Sequence, residues 1–231
     1  MKKFKKNKKI VIVGAGNFGQ IAFEYFNHDS PYEVVGFAVE KKFRKQDSLF
    51  NVPVIDFENL ESHFPSETHE LFIAITYSQL NRVRTRLYED AKKKGYKLAN
   101  YISSRAFCWS NVKMGDNVFI FEDNTVQPFV EIGNNVILWS GNHIGHHSII
   151  KSNCFISSHV VISGHCNVED NCFIGVNASI ADNLNIASDN LIGLGCVLNK
   201  STEENKVYRG NPGVAANVSA KKLMKCSGVG T

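Results

Sequence analysis

Five of the eight histidines fall within one stretch of the chain: His143, His146, His147, His159 and His165. A neutral imidazole accepts a proton near neutral pH, so a histidine can serve as general base for an attacking group. Histidine is also a common metal ligand. No Asp, Glu or Cys converges with these five residues in the sequence pattern. We therefore predict proton transfer and no metal site.

The histidines lie within a repeat. From residue 120 to residue 198, every sixth position is aliphatic without exception. This period fits neither an amphipathic helix nor an alternating strand. It is typical of a parallel β-helix, in which three short six-residue steps make one coil and the aliphatic side chains point into the prism. The aliphatic positions are Ile120, Val126, Ile132, Leu138, Ile144, Ile150, Ile156, Ile162, Val168, Ile174, Ile180, Ile186, Ile192 and Leu198.

Two further positions of the repeat agree with this interpretation. The fourth residue after each aliphatic one is usually small or modest, which suits a narrow interior. Glycine follows the aliphatic residue directly at several corners, where we expect the backbone to need permissive angles. These glycines are Gly133, Gly145, Gly175 and Gly193.

The coil length predicts which histidines meet. His147 and His165 are separated by one full coil, that is, by three steps of the repeat, so they are predicted to stack on adjacent coils. By the same arithmetic His146 is predicted to lie directly below Gly164. His159 follows the pair of His146 and His147 by about two steps of the repeat, which predicts a position on another side of the prism.

A different pattern occupies the first hundred residues. A β-branched run at residues 9–13 is followed by the glycine loop, residues 14–19 (GAGNFG), and an apolar helical pattern. Strand, G-x-G-x-x-G and helix in this order predict a phosphate site, because the helix N-terminus offers free amides to an anion. A helix is predicted from Ser78 to residue 94. Further strands are predicted at 33–39, 51–55, 70–75 and 97–102, and such alternation predicts a Rossmann-like, doubly wound parallel sheet.

The two patterns predict two domains: residues 1–105 with the parallel sheet, and residues 106–231 with the β-helix and a short terminal helix at 219–225. Hydrophobic residues make up 43% of the chain and charged residues 21%, as in an ordinary globular protein. Six lysines near the start of the chain carry six positive charges, which is more than the net charge of +4 of the whole chain. We interpret them as a solvated tail, and we expect no nucleic-acid partner.

The sequence also predicts in which compartment of the cell the protein is located. No apolar run approaches the about 18 residues of a transmembrane helix, and the run at residues 10–13 is too short for a signal peptide. The six cysteines form no CxxC pair, and four of them occupy small inward positions of the repeat. We therefore expect a cytoplasmic protein with reduced cysteines and no membrane partner.

The chain resembles the bacterial sugar acyltransferases that include the PglD-type UDP-amino-sugar N-acetyltransferases and the NeuD-type sialic acid O-acetyltransferases. The resemblance rests on the glycine loop, residues 73–77 with Asn81 and Arg82 downstream, His146, Ser163-Gly164, and Gly210-Asn211-Pro212. It implies a left-handed β-helix, a homotrimer with acetyl-CoA as co-substrate at a subunit boundary, and a first domain that holds the substrate's nucleotide. The implied function is acetylation of the amino group of a UDP- or dTDP-linked amino sugar for surface-glycan biosynthesis.

The same resemblance assigns roles to individual residues. His146 matches the catalytic histidine of the family and is predicted to take the proton from the attacking amine, while Gly164 is predicted to leave room for the thioester. The predicted substrate-binding residues are Gly14, Gly16, Asn17, Phe18, Glu40, Thr76 and Tyr77. The predicted coenzyme-binding residues are Ser163, Gly164, Val176, Gly193, Leu194 and Arg209.

Alternatives remain open at this point. The family often has His in place of Phe18 and a pair of acids in place of Val39-Glu40, so contacts to the nucleotide can differ here. The same base could serve O-acetylation of a sugar hydroxyl. A non-catalytic trimeric scaffold would keep the glycine loop without needing a base. A nicotinamide oxidoreductase could use Glu40 to hold ribose hydroxyls, but a β-helix follows the sheet where a catalytic domain would be needed.

Overall fold

The computed structural model of the chain describes residues 4–213, 215, 217 and 219–224. The N-terminal domain contains the strands β1 (Lys8–Val13), β2 (Tyr32–Val39), β3 (Ser48–Leu49), β4 (Val52–Asp56) and β5 (Glu70–Ile73). Its helices are α1 (Asn17–His28), α2 (Leu60–His63) and α3 (Arg82–Lys93), with 3₁₀ turns at Lys41–Phe43 and Phe57–Asn59.

These strands form one sheet in the order β3-β4-β2-β1-β5. Neighbouring strands are parallel except β3, which pairs antiparallel with β4. The central strand β1 is covered on both sides: Ile10 and Ile12 belong to one core, and Val11 and Val13 to the other. Burial on both faces is why this strand is continuously apolar. The predicted parallel sheet is confirmed.

Two predicted elements differ in the structure. Helix α3 begins at Arg82, because Gln79, Leu80 and Asn81 all adopt positive φ angles and so form a turn. The segment predicted as a strand at 97–102 is divided. Residue Leu98 bridges Leu71 of the sheet, whereas residues 101 and 102 already belong to the β-helix.

The β-helix is a prism with three faces of parallel two-residue strands. The first face consists of β6 (Tyr101–Ile102), β9 (Phe119–Ile120), β12 (Ile137–Leu138), β15 (Phe155–Ile156), β18 (Phe173–Ile174), β21 (Leu191–Ile192) and β23 (Val207–Tyr208). The second consists of β7 (Phe107–Cys108), β10 (Thr125–Val126), β13 (His143–Ile144), β16 (Val161–Ile162), β19 (Ser179–Ile180) and β22 (Val197–Leu198). The third consists of β8 (Lys113–Met114), β11 (Glu131–Ile132), β14 (Ile149–Ile150), β17 (Asn167–Val168) and β20 (Asn185–Ile186).

The prism is longer than the aliphatic run predicted. It begins at residue 101, before the predicted boundary at 105, and its last strand ends at residue 208. The helix predicted at 219–225 is observed as α4 (Ala220–Leu223), and residue 225 lies outside the described residues. Within the described residues, no helix has the length and apolar character needed to cross a membrane.

At the corners of the prism, positive φ angles occur at a different position from the glycines where they were predicted. Positive φ occurs at the third position after each aliphatic residue from Ile120 to Ile192, where the chain carries mostly Asn, Asp or His. Gly133, Gly145 and Gly175, which directly follow the aliphatic residues, do not have positive φ. A Cβ at these glycines would lie 2.5–2.7 Å from a backbone nitrogen of the next coil. They are required because adjacent coils approach closely, and not because of their backbone angles.

The N-terminal domain covers the first face of the prism through an aromatic core. Phe18, Phe26 and Phe72 surround Phe119 of β9, with ring centroids 5.1–5.9 Å apart. Phe18 also contacts Trp139 of the next coil at 5.4 Å. Edge-to-face and tilted contacts of this kind add to the stability gained from burial of apolar area. The two domains therefore share one core.

Arg84 connects α3 to the corner between the third and first faces. Its side chain is fully buried, and among the described residues no carboxylate pairs with it. Its guanidinium donates hydrogen bonds to Asn135 Oδ1 at 3.2 Å and to the carbonyl oxygens of Cys154, Thr76 and Asn153 at 3.0–3.1 Å. Burial lowers the pKa of Arg84 to about 9, so the group remains a cation at neutral pH.

Candidate active site

Three imidazoles meet at the corner between the second and third faces. His146 and His147 lie between β13 and β14, and His165 occupies the same corner one coil later. The rings of His147 and His165 stack with centroids 4.9 Å apart and an interplanar angle of 14°, as their spacing predicted. Nδ1 of His146 lies 3.1 Å from Nδ1 of His147, so the two nitrogens can share one proton. We call His146, His147 and His165 the histidine cluster.

The imidazole of His146 packs on the bare backbone of Gly164. A Cβ at Gly164 would lie 2.8–3.3 Å from three atoms of the His146 ring. The predicted contact between these two residues is confirmed, but the space predicted for a thioester is filled by the ring itself. The backbone of His146 is fixed on both sides, because its N–H donates to Gln127 Oε1 and its carbonyl accepts from the N–H of His165, both at 2.9 Å.

The other two histidines of the repeat lie elsewhere. His143 is a half-buried residue on the second face, in register with Thr125 and Val161. His159 lies on the corner between the first and second faces, where its ring packs against Gly141. The prediction that His159 occupies a different side of the prism is therefore confirmed.

Two neighbours of the cluster were missed in the sequence. Phe129 stacks on His147 with centroids 4.6 Å apart and an angle of 27°, and Gln127 accepts the bond from His146. Both belong to the preceding coil. Phe129 and His147 are three steps of the repeat apart in the sequence, and this spacing predicts their contact, since residues one coil apart lie side by side on the same corner.

The glycine loop forms a tight turn between β1 and α1. Gly14 follows β1 with φ of 109°, and a Cβ there would meet the carbonyl oxygen of Ala74 at 2.9 Å. A Cβ at Gly19 would overlap the carbonyl oxygen of Gly14. Gly16 and Asn17 are exposed at the start of α1, and nothing lies within 4 Å of a Cβ at Gly16. The open side of the loop thus presents the backbone of Gly16 and Asn17.

The side chain of Phe18 does not face this open side. Only 4% of the residue is exposed, and its ring packs among the aromatic residues of the shared core. Its predicted role as a substrate contact is therefore restricted to its backbone. The physical reason is the first turn of α1, which points residue 18 toward the β-helix.

The remaining predicted substrate residues lie after the carboxyl ends of β2 and β5, where open parallel sheets bind ligands. Glu40 forms ion pairs with Arg86 at 3.0 Å and Lys42 at 3.7 Å. The carbonyl oxygen of Thr76 accepts the bond from Arg84 described above. Tyr77 is half exposed and rests against Phe155 and Phe173 of the first face.

The predicted coenzyme residues border the second face from its two corners. Ser163 and Gly164 lie on the histidine corner. Val176, Gly193, Leu194 and Arg209 lie on the opposite corner, which the second face shares with the first. Leu194 is 76% exposed, and Val176 and Arg209 are also exposed. The second face thus has the histidine cluster on one edge, and exposed Val176, Leu194 and Arg209 on the other.

One chain does not bring the two halves of the predicted site together. The N-terminal domain covers the first face, and its helix α3 reaches the corner between the third and first faces. The histidine cluster is on the corner between the second and third faces. In a three-sided prism that corner is opposite the first face, so the glycine loop and His146 of the same chain are separated by the width of the prism.

Comparison with known proteins agrees with this architecture. The model of the PglD N-terminal domain matches residues 9–91, and that of the bacterial transferase hexapeptide (six repeats) matches residues 111–145 and 130–164. The search among curated proteins found no match.

Several solved structures are similar. The acetyltransferase domain of PglB from Neisseria gonorrhoeae FA1090 is 22% identical with a TM-score of 0.78, over 89% of this chain and 98% of that one. PerB from Caulobacter crescentus, in complex with CoA and GDP-perosamine, is 22% identical with a TM-score of 0.77, over 87% and 94%. WeeI from Acinetobacter baumannii AYE is 21% identical with a TM-score of 0.68, over 89% and 98%.

A Rossmann-like sheet followed by a left-handed β-helix of hexapeptide repeats defines the class of hexapeptide transferases, and the predicted fold is confirmed. The chain carries a PglD N-terminal domain followed by hexapeptide repeats, and the predicted resemblance to the PglD/NeuD-like sugar acyltransferases is confirmed.

Proposed function

We propose that the protein is an acetyl-CoA-dependent N-acetyltransferase that acts on the amino group of a nucleotide-linked amino sugar in surface-glycan biosynthesis. The observation that carries this proposal is the exposed imidazole of His146, held beside the second face where the predicted coenzyme residues lie. The similar PerB structure contains CoA and GDP-perosamine, and PglB has been solved with acetyl coenzyme A, which supports the same pair of substrates here.

The chemistry requires one proton acceptor. The amine nitrogen attacks the thioester carbonyl carbon, a C–N bond forms, and the amine gives up a proton to His146. Because Nδ1 of His146 faces His147, its Nε2 is the nitrogen left for the substrate. The intermediate then collapses, the C–S bond breaks, and the coenzyme A sulfur leaves with the proton that His146 returns. Backbone amides beside the second face can stabilise the oxyanion.

The proposal is tested by thiol release from acetyl-CoA with a panel of UDP-, dTDP- and GDP-linked amino sugars. We expect release of coenzyme A in equal amount to an N-acetylated product, with at least one amino sugar. The matched controls are the same nucleotide sugars with a hydroxyl in place of the amine. Release with the hydroxyl compounds alone would establish O-acetylation instead, and no release above hydrolysis with any compound would contradict the proposal.

We further propose that the active protein is a homotrimer, because His146 and the glycine loop of one chain lie on opposite sides of the prism. A neighbouring chain is needed to bring a nucleotide-binding loop to the histidine corner. We expect a mass of about 77 kDa, three times 25.8 kDa, in sedimentation velocity at micromolar concentration. A monomer under these conditions would leave each histidine without a nucleotide domain and would exclude the shared site.

A nucleotide diphosphate-sugar should bind at the glycine loop and raise the melting temperature, whereas NAD should not. Replacement of Gly16 tests this prediction without backbone strain, because Gly16 has φ of −75° and space for a side chain. Gly16→Asp retains a good N-cap but places a negative charge beside the diphosphate. We expect its thermal shift to disappear while the neutral control Gly16→Ser keeps most of it. A shift with NAD and none with sugar nucleotides would favour an oxidoreductase.

A further inference from the structure

The histidine cluster has a second chemical capacity besides proton transfer. One nitrogen from each of His146, His147 and His165 lies within 4.8 Å of the other two, and all three residues are exposed. The sequence predicted no metal site because no acid or cysteine accompanies these histidines. The structure shows that three imidazoles alone come close enough to act as ligands of one ion.

Two of the three imidazoles already have the nitrogen separation found around a bound transition-metal ion. Four ligands at about 2.0–2.1 Å from a tetrahedral Zn²⁺ lie about 3.3–3.4 Å from one another. The Nδ1 atoms of His146 and His147 are already 3.1 Å apart. Since the rings are exposed, small rotations can bring the third nitrogen from within 4.8 Å to that separation. Neutral imidazoles need no deprotonation to bind, and the fourth position is open to solvent.

Neighbouring rings and the corner backbone hold the imidazoles of His147 and His165 in place. The ring of Phe129 covers one side of His147, and the ring of His165 covers the other. The backbones of His147 and His165 are both fixed at corner positions with φ of 59° and 55°. The donors are therefore held on adjacent coils of a rigid prism, so less ordering is needed when an ion binds.

We propose that the histidine cluster binds a divalent transition-metal ion such as Zn²⁺, and that the ion inhibits the transferase by occupying His146. If the ion takes Nδ1, the single proton of the neutral ring must lie on Nε2, which then cannot accept another from the amine. If the ion takes Nε2, the base is blocked directly. The inhibition rests on the proposed function, whereas the binding does not.

The test uses the full chain without a histidine tag, freed of metal by dialysis against EDTA. Co²⁺ is added first, because tetrahedral Co²⁺ has visible absorption that reports its ligands, and Zn²⁺ is then used to displace it. We expect one ion per chain. His165→Asn should weaken binding by about 10-fold or more, on the scale of disrupted metal sites. Asparagine suits this corner because Asn183 occupies the same corner one coil later, also with positive φ.

The matched control is His159→Asn, which changes an exposed histidine with the same backbone conformation on another corner. It should bind Co²⁺ like the wild type. Zn²⁺ should inhibit turnover of the wild type and of His159→Asn, and EDTA should reverse the inhibition. His165→Asn, compared with its own metal-free turnover, should need at least about 10-fold more Zn²⁺ for the same fractional inhibition.

Two results would overturn the proposal. Equal Co²⁺ binding by His165→Asn and the wild type would remove the site, and stoichiometric binding without inhibition would remove its effect on His146. If the protein proves to have no transferase activity, the Co²⁺ spectra still decide whether the site exists, so failure of the proposed function is distinguishable from failure of this inference.

Discussion

The His146→Ala variant should lose about 10²–10⁴-fold in kcat while remaining trimeric, the usual scale for loss of a general base. His146 is exposed, packs on Gly164, and has Nε2 free for substrate because His147 faces Nδ1. The affinity for acetyl-CoA should change little, since proton transfer matters chiefly in the transition state. Single-turnover kinetics, which isolate the chemical step, are the measurement.

The controls for this variant are the other candidate bases. His147→Ala should cost distinctly less, because His147 contacts His146 but faces Phe129 and His165 with its ring. His159→Ala should cost least, because His159 lies on a different corner. If His146→Ala keeps more than about a third of wild-type turnover where chemistry limits the rate, another group is the base.

The Arg84→Met variant should lose about 3–5 kcal/mol of unfolding free energy, because each buried acceptor left without its donor costs about 1–3 kcal/mol. Methionine keeps much of the volume but none of the donors. The carbonyl oxygens of Thr76, Asn153 and Cys154 then lose charged hydrogen bonds in a dry site. Urea denaturation of the wild type and variant measures the difference from their midpoints and slopes.

Helix α3 offers two matched controls for this prediction. Arg82 pairs with Asp189 and Arg86 pairs with Glu40, but both arginines are about half exposed. Exposed ion pairs contribute about 0–1 kcal/mol, so Arg82→Met and Arg86→Met should stay within that range. An Arg84→Met protein as stable as these controls would show that water or a rearranged side chain satisfies the three carbonyl groups.

The three arginines also show what the sequence could not reveal. Arg82, Arg84 and Arg86 alternate along one helix and look equivalent in the sequence, yet only Arg84 is buried. Its position depends on α3 meeting the corner of the prism, and periodicity does not specify which surfaces of two domains meet. Asn81 is a similar case: its amide donates to carbonyl oxygens of Asn171 and Cys172 instead of capping α3.

Features set by the repeat itself were predictable. The buried aliphatic positions, the stack of His147 on His165 and the contact of His146 with Gly164 all follow from the coil length. The role of the corner glycines did not follow, because the spacing between coils is a property of packed backbones. The burial of Phe18 was missed for the same reason as that of Arg84, since three of its four aromatic neighbours come from the other domain.

The aromatic core shared by the two domains has a consequence for synthesis of the chain. Phe18, Phe26 and Phe72 are made before Phe119 and Trp139, the residues that cover them. A ribosome that has completed the parallel sheet therefore still carries a nascent chain with an uncovered aromatic surface. That surface is hidden only when the second and third coils have emerged and wound against it. The first face of the prism thus covers the aromatic surface of a domain that precedes it in the chain. A proteolytic cut near residue 105 that separates the two domains would expose apolar surface on both fragments, and both would be prone to aggregate.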